Sequence, residues 1–248
     1  MFAFLRFFGF LFITIWYLTP ILLRAALRGT DLNHALEYRQ RWAHQITRML
    51  GMRLRERGLP VCQDTCIYMG NHRSYTDPVI ALRQIKAQPV AKAEVSSWPM
   101  VGFAARNTGV MFVKREDKSS RRNTLDTMSA SLKAGFSVLI YPEGTTHIDP
   151  QTRPFRMGAF GLAAKEGFPI VPMAIEYGRD GDAWIGDDTF LPHFFRTFNQ
   201  RYTDVWIEYG APILDSDAAV LAQKTEDWIN EKITGFREER LAAQASAK

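Results

Sequence analysis

Residues 66–82 read Cys-Ile-Tyr-Met-Gly-Asn-His-Arg-Ser-Tyr-Thr-Asp-Pro-Val-Ile-Ala-Leu. Three textures follow one another here. Residues 66–69 are a short apolar run of strand length. Residues 71–77 are polar and carry a histidine, an arginine and a carboxylate. Asp77-Pro78 then has the signature of a helix start, with Asp at the cap and Pro at the first helical position. The alternation continues downstream. Strands are predicted at 89–91, 110–113, 137–141, 170–177 and 205–209, and helices over 119–134, 155–166 and 218–240, the last with Gly235 as a breaking point. Strands and helices taking turns give an α/β fold, a central mixed sheet flanked by helices. In such folds the loops at strand ends build the site, and the polar stretches 71–77, 114–117 and 142–146 all follow strands.

The chain has 248 residues, enough for a substantial core. With 46% hydrophobic and 23% charged residues it is globular rather than disordered. A net charge of +5 fits an anionic partner: a membrane surface, a nucleic acid or a phosphorylated metabolite. No helix-turn-helix, zinc-finger or aromatic RNA-binding signature accompanies that charge, so no nucleic acid is expected. The only cysteines, Cys62 and Cys66, make no disulfide framework, and no histidine cluster completes a metal site around them. A reducing compartment is the natural reading.

The N-terminus is of a different kind. Between Arg6 and Arg24 lie seventeen uncharged residues, 7–23, crowded with Phe7, Phe8, Phe10, Phe12, Trp16 and Tyr17. That length is at the lower limit for a membrane span of about 20 residues, and Trp and Tyr favour the interface. A spanning helix, an interfacial helix and a cleaved signal peptide all fit, the last least well because the charged leader is thin. A second helix is predicted after Thr30 or Asp31 as cap. Its apolar positions Leu32, Ala35, Leu36, Ala43, Ile46, Met49 and Leu50 recur at helical spacing, with Arg39, Arg41 and Arg48 elsewhere. A basic amphipathic helix suits an anionic membrane surface, as does an ordinary core-packed helix. Arg53, Arg55 and Arg57 are expected to draw lipid headgroups and to favour the cytoplasmic face.

His72 and Asp77 are separated by four residues. A turn can bring them together, so that the carboxylate holds one ring nitrogen and leaves the other as a base. Alone, this spacing is a weak signal. Ser74 lies between them without a nucleophile elbow, so the simpler chemistry is deprotonation of a substrate hydroxyl by His72.

Four stretches in order give the pair its context. Asn-His-Arg-Ser-Tyr-Thr-Asp at 71–77 resembles the N-H-x-S-x-x-D block of the glycerolipid acyltransferase family, typified by 1-acylglycerol-3-phosphate acyltransferase. Residues 109–115 (Gly-Val-Met-Phe-Val-Lys-Arg) resemble its G-x-x-F-I-x-R block, residues 141–145 (Tyr-Pro-Glu-Gly-Thr) its F-P-E-G-T, and residues 170–175 (Ile-Val-Pro-Met-Ala-Ile) its V-P block. Lys92 and the Phe155-Arg156-Met157-Gly158 stretch are similar as well. The resemblance implies transfer of an acyl group from acyl-CoA or acyl carrier protein to the hydroxyl of a lysolipid at a membrane, with no cofactor beyond the thioester and no metal. It makes His72 the base and Asp77 its orienting partner. Arg115, with Lys114 beside it, would hold the acceptor's phosphate. Glu143, Gly144 and Thr145 would shape the acceptor site, with backbone N–H groups near Gly144 helping an oxyanion. Lys92 and Arg156 would be further phosphate ligands. The implied organisation is a membrane-anchoring segment at 1–58, an acyltransferase domain at 59–241 and a frayed tail at 242–248. The acceptor expected first is 1-acylglycerol 3-phosphate, giving phosphatidic acid. Relatives acting on other lysolipids, lyso-ornithine lipid among them, are the alternative. The third block departs from its usual F-P-E-G-T-R-S ending, with Thr146-His147 in place of Arg-Ser. A membrane-binding scaffold on an inactive fold is the non-enzymatic alternative, against which the intact His72, Asp77, Arg115 and Glu143 speak.

Overall fold

Ile170–Tyr177 are eight successive buried residues, which a strand achieves only when both faces of its sheet are covered. The computed structural model describes residues 2–58, 62 and 65–246 and makes this segment an inner strand. The helices are α1 (Phe2–Arg28), α2 (Leu32–Met49), α3 (Asp77–Ala81), α4 (Val101–Asn107), α5 (Lys118–Lys133), α6 (Gly158–Glu166), α7 (Phe190–Phe198) and α8 (Ala218–Ser246). The strands are β1 (Met52–Arg57), β2 (Ile67–Gly70), β3 (Ala87–Lys92), β4 (Met111–Val113), β5 (Ser137–Ile140), β6 (Ile170–Tyr177) and β7 (Thr203–Tyr209). They form one sheet in the order β1-β7-β6-β2-β5-β3-β4. Only the β6–β7 pairing is antiparallel. The central mixed sheet flanked by helices is therefore the observed fold.

Side-chain alternation divides the core into two layers. Tyr68, Leu139, Val171, Met173 and Ile175 point toward α2 and α3, meeting Ala43, Ile80 and Ala81. Ile67, Met69, Val138 and Ile170 point the other way, onto Met128 and Leu132 of α5 and Phe160 and Ala163 of α6. Because β2, β3, β4 and β5 are mutually parallel, their C-terminal ends share one edge. That edge carries His72, Lys92, Arg115 and Glu143.

Several expectations change. The arginine-rich stretch after α2 is an edge strand, β1, paired in parallel with β7. The expected anchoring segment 1–58 thus also contributes the outermost strand of the sheet. The signal lay in the alternation of Met52 and Leu54, which pack inward, with the arginines. Those arginines lie on the opposite face of the sheet from α2. Arg53 lies on Tyr202, Arg55 on Trp206, and Arg57 makes a double ion pair with Glu239 of α8. They are held by the protein, not turned toward the apolar N-terminal helix. In α2 the apolar stripe packs on the core, with Ala35, Leu36, Ala43 and Ile46 buried, so it is a core helix. Asp31 caps it, accepting from His34 N at 3.1 Å. Arg39 is buried rather than outward, donating to Thr108 O and Ala87 O. Burial pushes its guanidinium down to about 9, still charged at neutral pH. Asp77 is the first residue of α3 and Thr76 the cap; the carboxylate is engaged elsewhere. The α7 segment carries no expectation from the sequence.

α8 runs unbroken through Gly235, and residues 242–246 of the expected frayed tail are helical, 247 and 248 lying outside the described residues. A glycine costs about 1 kcal/mol in a helix. Burial of Ile229, Ile233 and Phe236 against Ala174 and Trp206 outweighs it. A Cβ at Gly235 meets nothing within 4 Å. Gly235→Ala should therefore raise stability by roughly 0.5–1 kcal/mol in urea melts; a loss would contradict an unbroken α8.

Candidate active site

The Asp77 carboxylate, fully buried, organises the loop after β2. Its Oδ2 accepts from Arg73 N at 2.6 Å and Ser74 N at 2.8 Å, and meets His72 Nδ1 at 2.7 Å. Its Oδ1 accepts from the Tyr177 hydroxyl at 2.7 Å. Two backbone donors and a phenol fix the carboxylate, and the carboxylate fixes the imidazole. A carboxylate on Nδ1 sets the tautomer with the proton on Nδ1, so Nε2 is the basic nitrogen. The ring stacks on Tyr141, with centroids 4.3 Å apart and planes 15° from parallel. Asn71 pins the start of the loop: its amide donates to Ile175 O and accepts from Ile175 N, both at 2.8 Å, extending the β2–β6 pairing through a side chain.

His72 lines a cavity of about 710 Å³. Its apolar wall comes from α1 and α2 (Phe10, Tyr17, Leu18, Trp42 and Ile46) and from Phe190 and Phe194 of α7. Its polar wall carries Lys92, Glu94, Arg115, Glu116, Gly144, Thr145 and Arg156. The combination suits an amphiphile: chain in the apolar part, headgroup at the basic end, reactive group at His72.

The expected site residues divide. His72, Lys92, Arg115, Gly144, Thr145 and Arg156 share the cavity. Arg115 donates to Gly144 O, and its guanidinium is held below its ordinary value by burial and by the neighbouring Arg156 charge. Two cations crowded together in this way favour an anion between them. Gly144 has φ +70°, and a Cβ there would sit 2.7 Å from Arg156 Nε, so only glycine suits this approach. Its own N–H donates to Tyr141 O at 3.1 Å, so of the N–H groups near Gly144 expected to help an oxyanion, this one is engaged within the loop. Lys92 pairs with Glu94 at 3.0 Å. Two expected residues stand apart. Lys114 is off the cavity wall, in an adjoining depression with Glu116 and Asp117. Glu143 is buried behind the loop: its carboxylate accepts from His72 N at 2.8 Å and Arg153 N at 2.7 Å and contacts His147. It braces the site rather than lining it. No group of three or more His, Cys, Asp or Glu able to hold a metal occurs among the described residues.

Sequence reasoning passed over Tyr177 and Tyr141. Both lie at or just past strand ends, Tyr141 opening the third block, and only their contacts reveal the roles. Burial and the Asp77 charge push both phenols well up, so Tyr177 stays a donor. Tyr177→Phe leaves Asp77 Oδ1 without that donor and should cost about 1–3 kcal/mol in denaturant unfolding; an unchanged stability would mean the bond is not a support.

The acyltransferase family model matches residues 43–176, more than half of the chain. The chain is 30% identical to a lyso-ornithine lipid O-acyltransferase of Pseudomonas aeruginosa over 86% of its own length and 85% of the relative's. It is 31% identical to a chloroplastic 1-acyl-sn-glycerol-3-phosphate acyltransferase of Brassica napus, over 71% of this chain and 48% of that protein. In fold it is similar to the crystal structure of the 1-acyl-sn-glycerophosphate acyltransferase PlsC of Thermotoga maritima. The TM-score is 0.69 at 19% identity, over 95% of this chain and 96% of that one. With the matched region running from α2 to β6 and enclosing the His72–Asp77 loop, the chain belongs to the acyltransferase family.

Proposed function

We propose that the protein transfers a fatty acyl group from a thioester, acyl-CoA or acyl carrier protein, to the free hydroxyl of an anionic lysolipid, 1-acylglycerol 3-phosphate first among them. The observation that carries this reading is the His72 imidazole, held through Nδ1 by Asp77, on the wall of a cavity with an apolar and a basic end. In this scheme the acceptor headgroup sits at Arg115 and Arg156, with Lys92 and Thr145 beside them. His72 Nε2 takes the proton of the acceptor hydroxyl as that oxygen attacks the thioester carbonyl. Asp77 stabilises the imidazolium that forms. Collapse of the tetrahedral intermediate expels the thiolate, which recovers the proton from His72. The thioester supplies the activation, so no metal or further cofactor takes part.

A zwitterionic lysolipid such as lyso-ornithine lipid is the second reading. Glu94 and Glu116 stand on the same polar wall as the arginines and could answer an ammonium, and a lyso-ornithine lipid acyltransferase matches across most of both chains.

The site would work at a membrane. α1 is long and apolar enough to cross one, yet it lies along α2, α7 and α4. Trp42 Nε1 donates to Thr14 Oγ1, and Arg6 donates to Phe198 O and Arg201 O. The opposite face is bare, with Phe4, Leu5, Phe8, Phe12, Trp16, Leu23 and Leu27 exposed. A patch of that kind marks a membrane or partner surface. In this reading α1 lies in the cytoplasmic leaflet of the membrane and brings the cavity to the lipids.

Detergent-purified protein mixed with long-chain acyl-CoA should release CoA only when lysolipid is added, once the thiols of Cys62 and Cys66 are subtracted. His72→Ala should remove that release, and Asp77→Asn should lower it by about 10⁴-fold; near-normal turnover in either variant would defeat the mechanism. Arg115→Ala should weaken use of 1-acylglycerol 3-phosphate more than use of a lysolipid lacking phosphate. Equal losses would favour the zwitterionic acceptor. Phe8→Ser with Phe12→Ser and Trp16→Ser should lower vesicle binding while leaving the fold intact; unchanged binding would place the membrane contact elsewhere.

A further inference from the structure

His147 stands where the family's third block usually has a serine, and the scheme above gives it no role. It is nonetheless buried at the centre of a polar cluster behind the His72 loop. Its Nδ1 accepts from Arg73 Nη1 and from Asp149 N, each at 3.1 Å. Both partners are obligatory donors, so Nδ1 carries no proton, even with the half-exposed Asp149 carboxylate 3.4 Å away. The ring proton therefore sits on Nε2 and is given to Glu143 Oε2. Arg73 Nη1 also donates to His147 O at 3.0 Å. The far side of Arg73 lies 3.3 Å from Glu176 Oε2, which in turn accepts from Arg237 Nε at 3.0 Å. The cluster thus runs from the third block through Arg73 to β6 and α8.

Its near end meets the peptide groups of residue 72. Glu143 Oε1 accepts from His72 N at 2.8 Å, and His147 N donates to His72 O at 3.4 Å. The backbone of His72 is gripped at its N–H and its C=O by Glu143 and His147, while its side chain is gripped by Asp77. Two imidazole–carboxylate pairs sit back to back. One handles the reacting proton; the other handles the residue that does so.

We infer that His147, as the neutral Nε2–H form, is a positioning residue that sets the approach of His72 to the acceptor hydroxyl through Glu143 and the residue-72 backbone. This inference rests on the acyl-transfer reading. Its effect falls on the reacting geometry and not on the Arg115–Arg156 end of the cavity. A displacement of about 1 Å at a reacting group can cost roughly 10²-fold in rate. His147→Leu removes the donor to Glu143 and the acceptor for Arg73 at similar bulk. His147→Gln keeps one donor and one acceptor.

The test uses the full chain in detergent with acyl-CoA and lysolipid, reading kcat and KM separately, alongside hydrogen exchange of the 70–77 amides. His147→Leu should lower kcat by about 10²-fold with KM for both substrates within about twofold. His147→Gln should recover at least a tenth of the wild-type kcat, on the order of the gain from one restored hydrogen-bonded partner. In exchange, His147→Leu should speed the 70–77 amides by about tenfold or more while α5 and α6 keep their protection. Unchanged kcat in His147→Leu, a matching rise in KM, or no recovery with Gln would overturn the role. Should the wild type transfer no acyl group, or His72→Ala remain active, the acyl-transfer reading fails first. The exchange data then decide the clamp alone: unchanged 70–77 protection in His147→Leu overturns it, and faster exchange confined there upholds it.

Discussion

The structure depends on one buried negative charge. Asp77 has no access to solvent and would be costly there without partners, since an uncompensated buried charge costs several kcal/mol. Its four contacts repay this, and each ties a different piece of the site. The N–H groups of Arg73 and Ser74 bend the loop back on itself. Tyr177 fastens the loop to the end of β6. The fourth contact leaves His72 with a single orientation. Everything the cavity offers a substrate is arranged around an imidazole whose freedom has been removed in this way.

Much of this was legible in the sequence, for identifiable reasons. Ile170–Tyr177 is uninterrupted apolar and aromatic residues save Pro172 and Glu176, and burial on both faces is the setting that favours such a run. The His72–Asp77 pair was readable because all its covalent connections are local: four intervening residues of turn determine whether the groups meet. Convergence of 71–77 with 141–145 and 115 was expected because each follows a strand; the structure brings them together because those strands are parallel and end on one edge. What escaped the sequence is non-local. β1 looked like a basic patch because its strand character depends on β7, some 150 residues later. Gly235 looked like a break because its local cost is visible and the burial of Ile233 and Phe236 is not. Glu143 looked like a substrate ligand because its block does; its carboxylate turns inward because His72 N, Arg153 N and His147 offer it donors there.

The electrostatics separate binding from bracing. Arg73 and Arg237 converge on Glu176, and Arg57 on Glu239, so their charge is spent on the fold. Arg115 and Arg156 face each other across Gly144 and share the cavity wall. Of the chain's net positive charge, this is the part that the proposed reading assigns to an anionic headgroup. In the proposed reading, the bare face of α1 brings the apolar end of the same cavity to the membrane. One helix thus has Phe10, Tyr17 and Leu18 inside the cavity and Phe8, Phe12 and Trp16 exposed outside it.

The central claim is direct attack by the acceptor hydroxyl, activated by His72, with no acyl group passing through the protein. Ser74 is the side chain that could compete for that role. It is buried next to the pair, and its Oγ has no hydrogen-bond partner among the described residues. The most direct measurement is the intact mass of the protein after mixing with a long-chain acyl thioester and no acceptor, followed by addition of lysolipid. The account predicts an unchanged protein mass until the acceptor arrives, and acylated lipid afterwards. A protein adduct of one acyl group that forms first and then disappears into the lipid would contradict it.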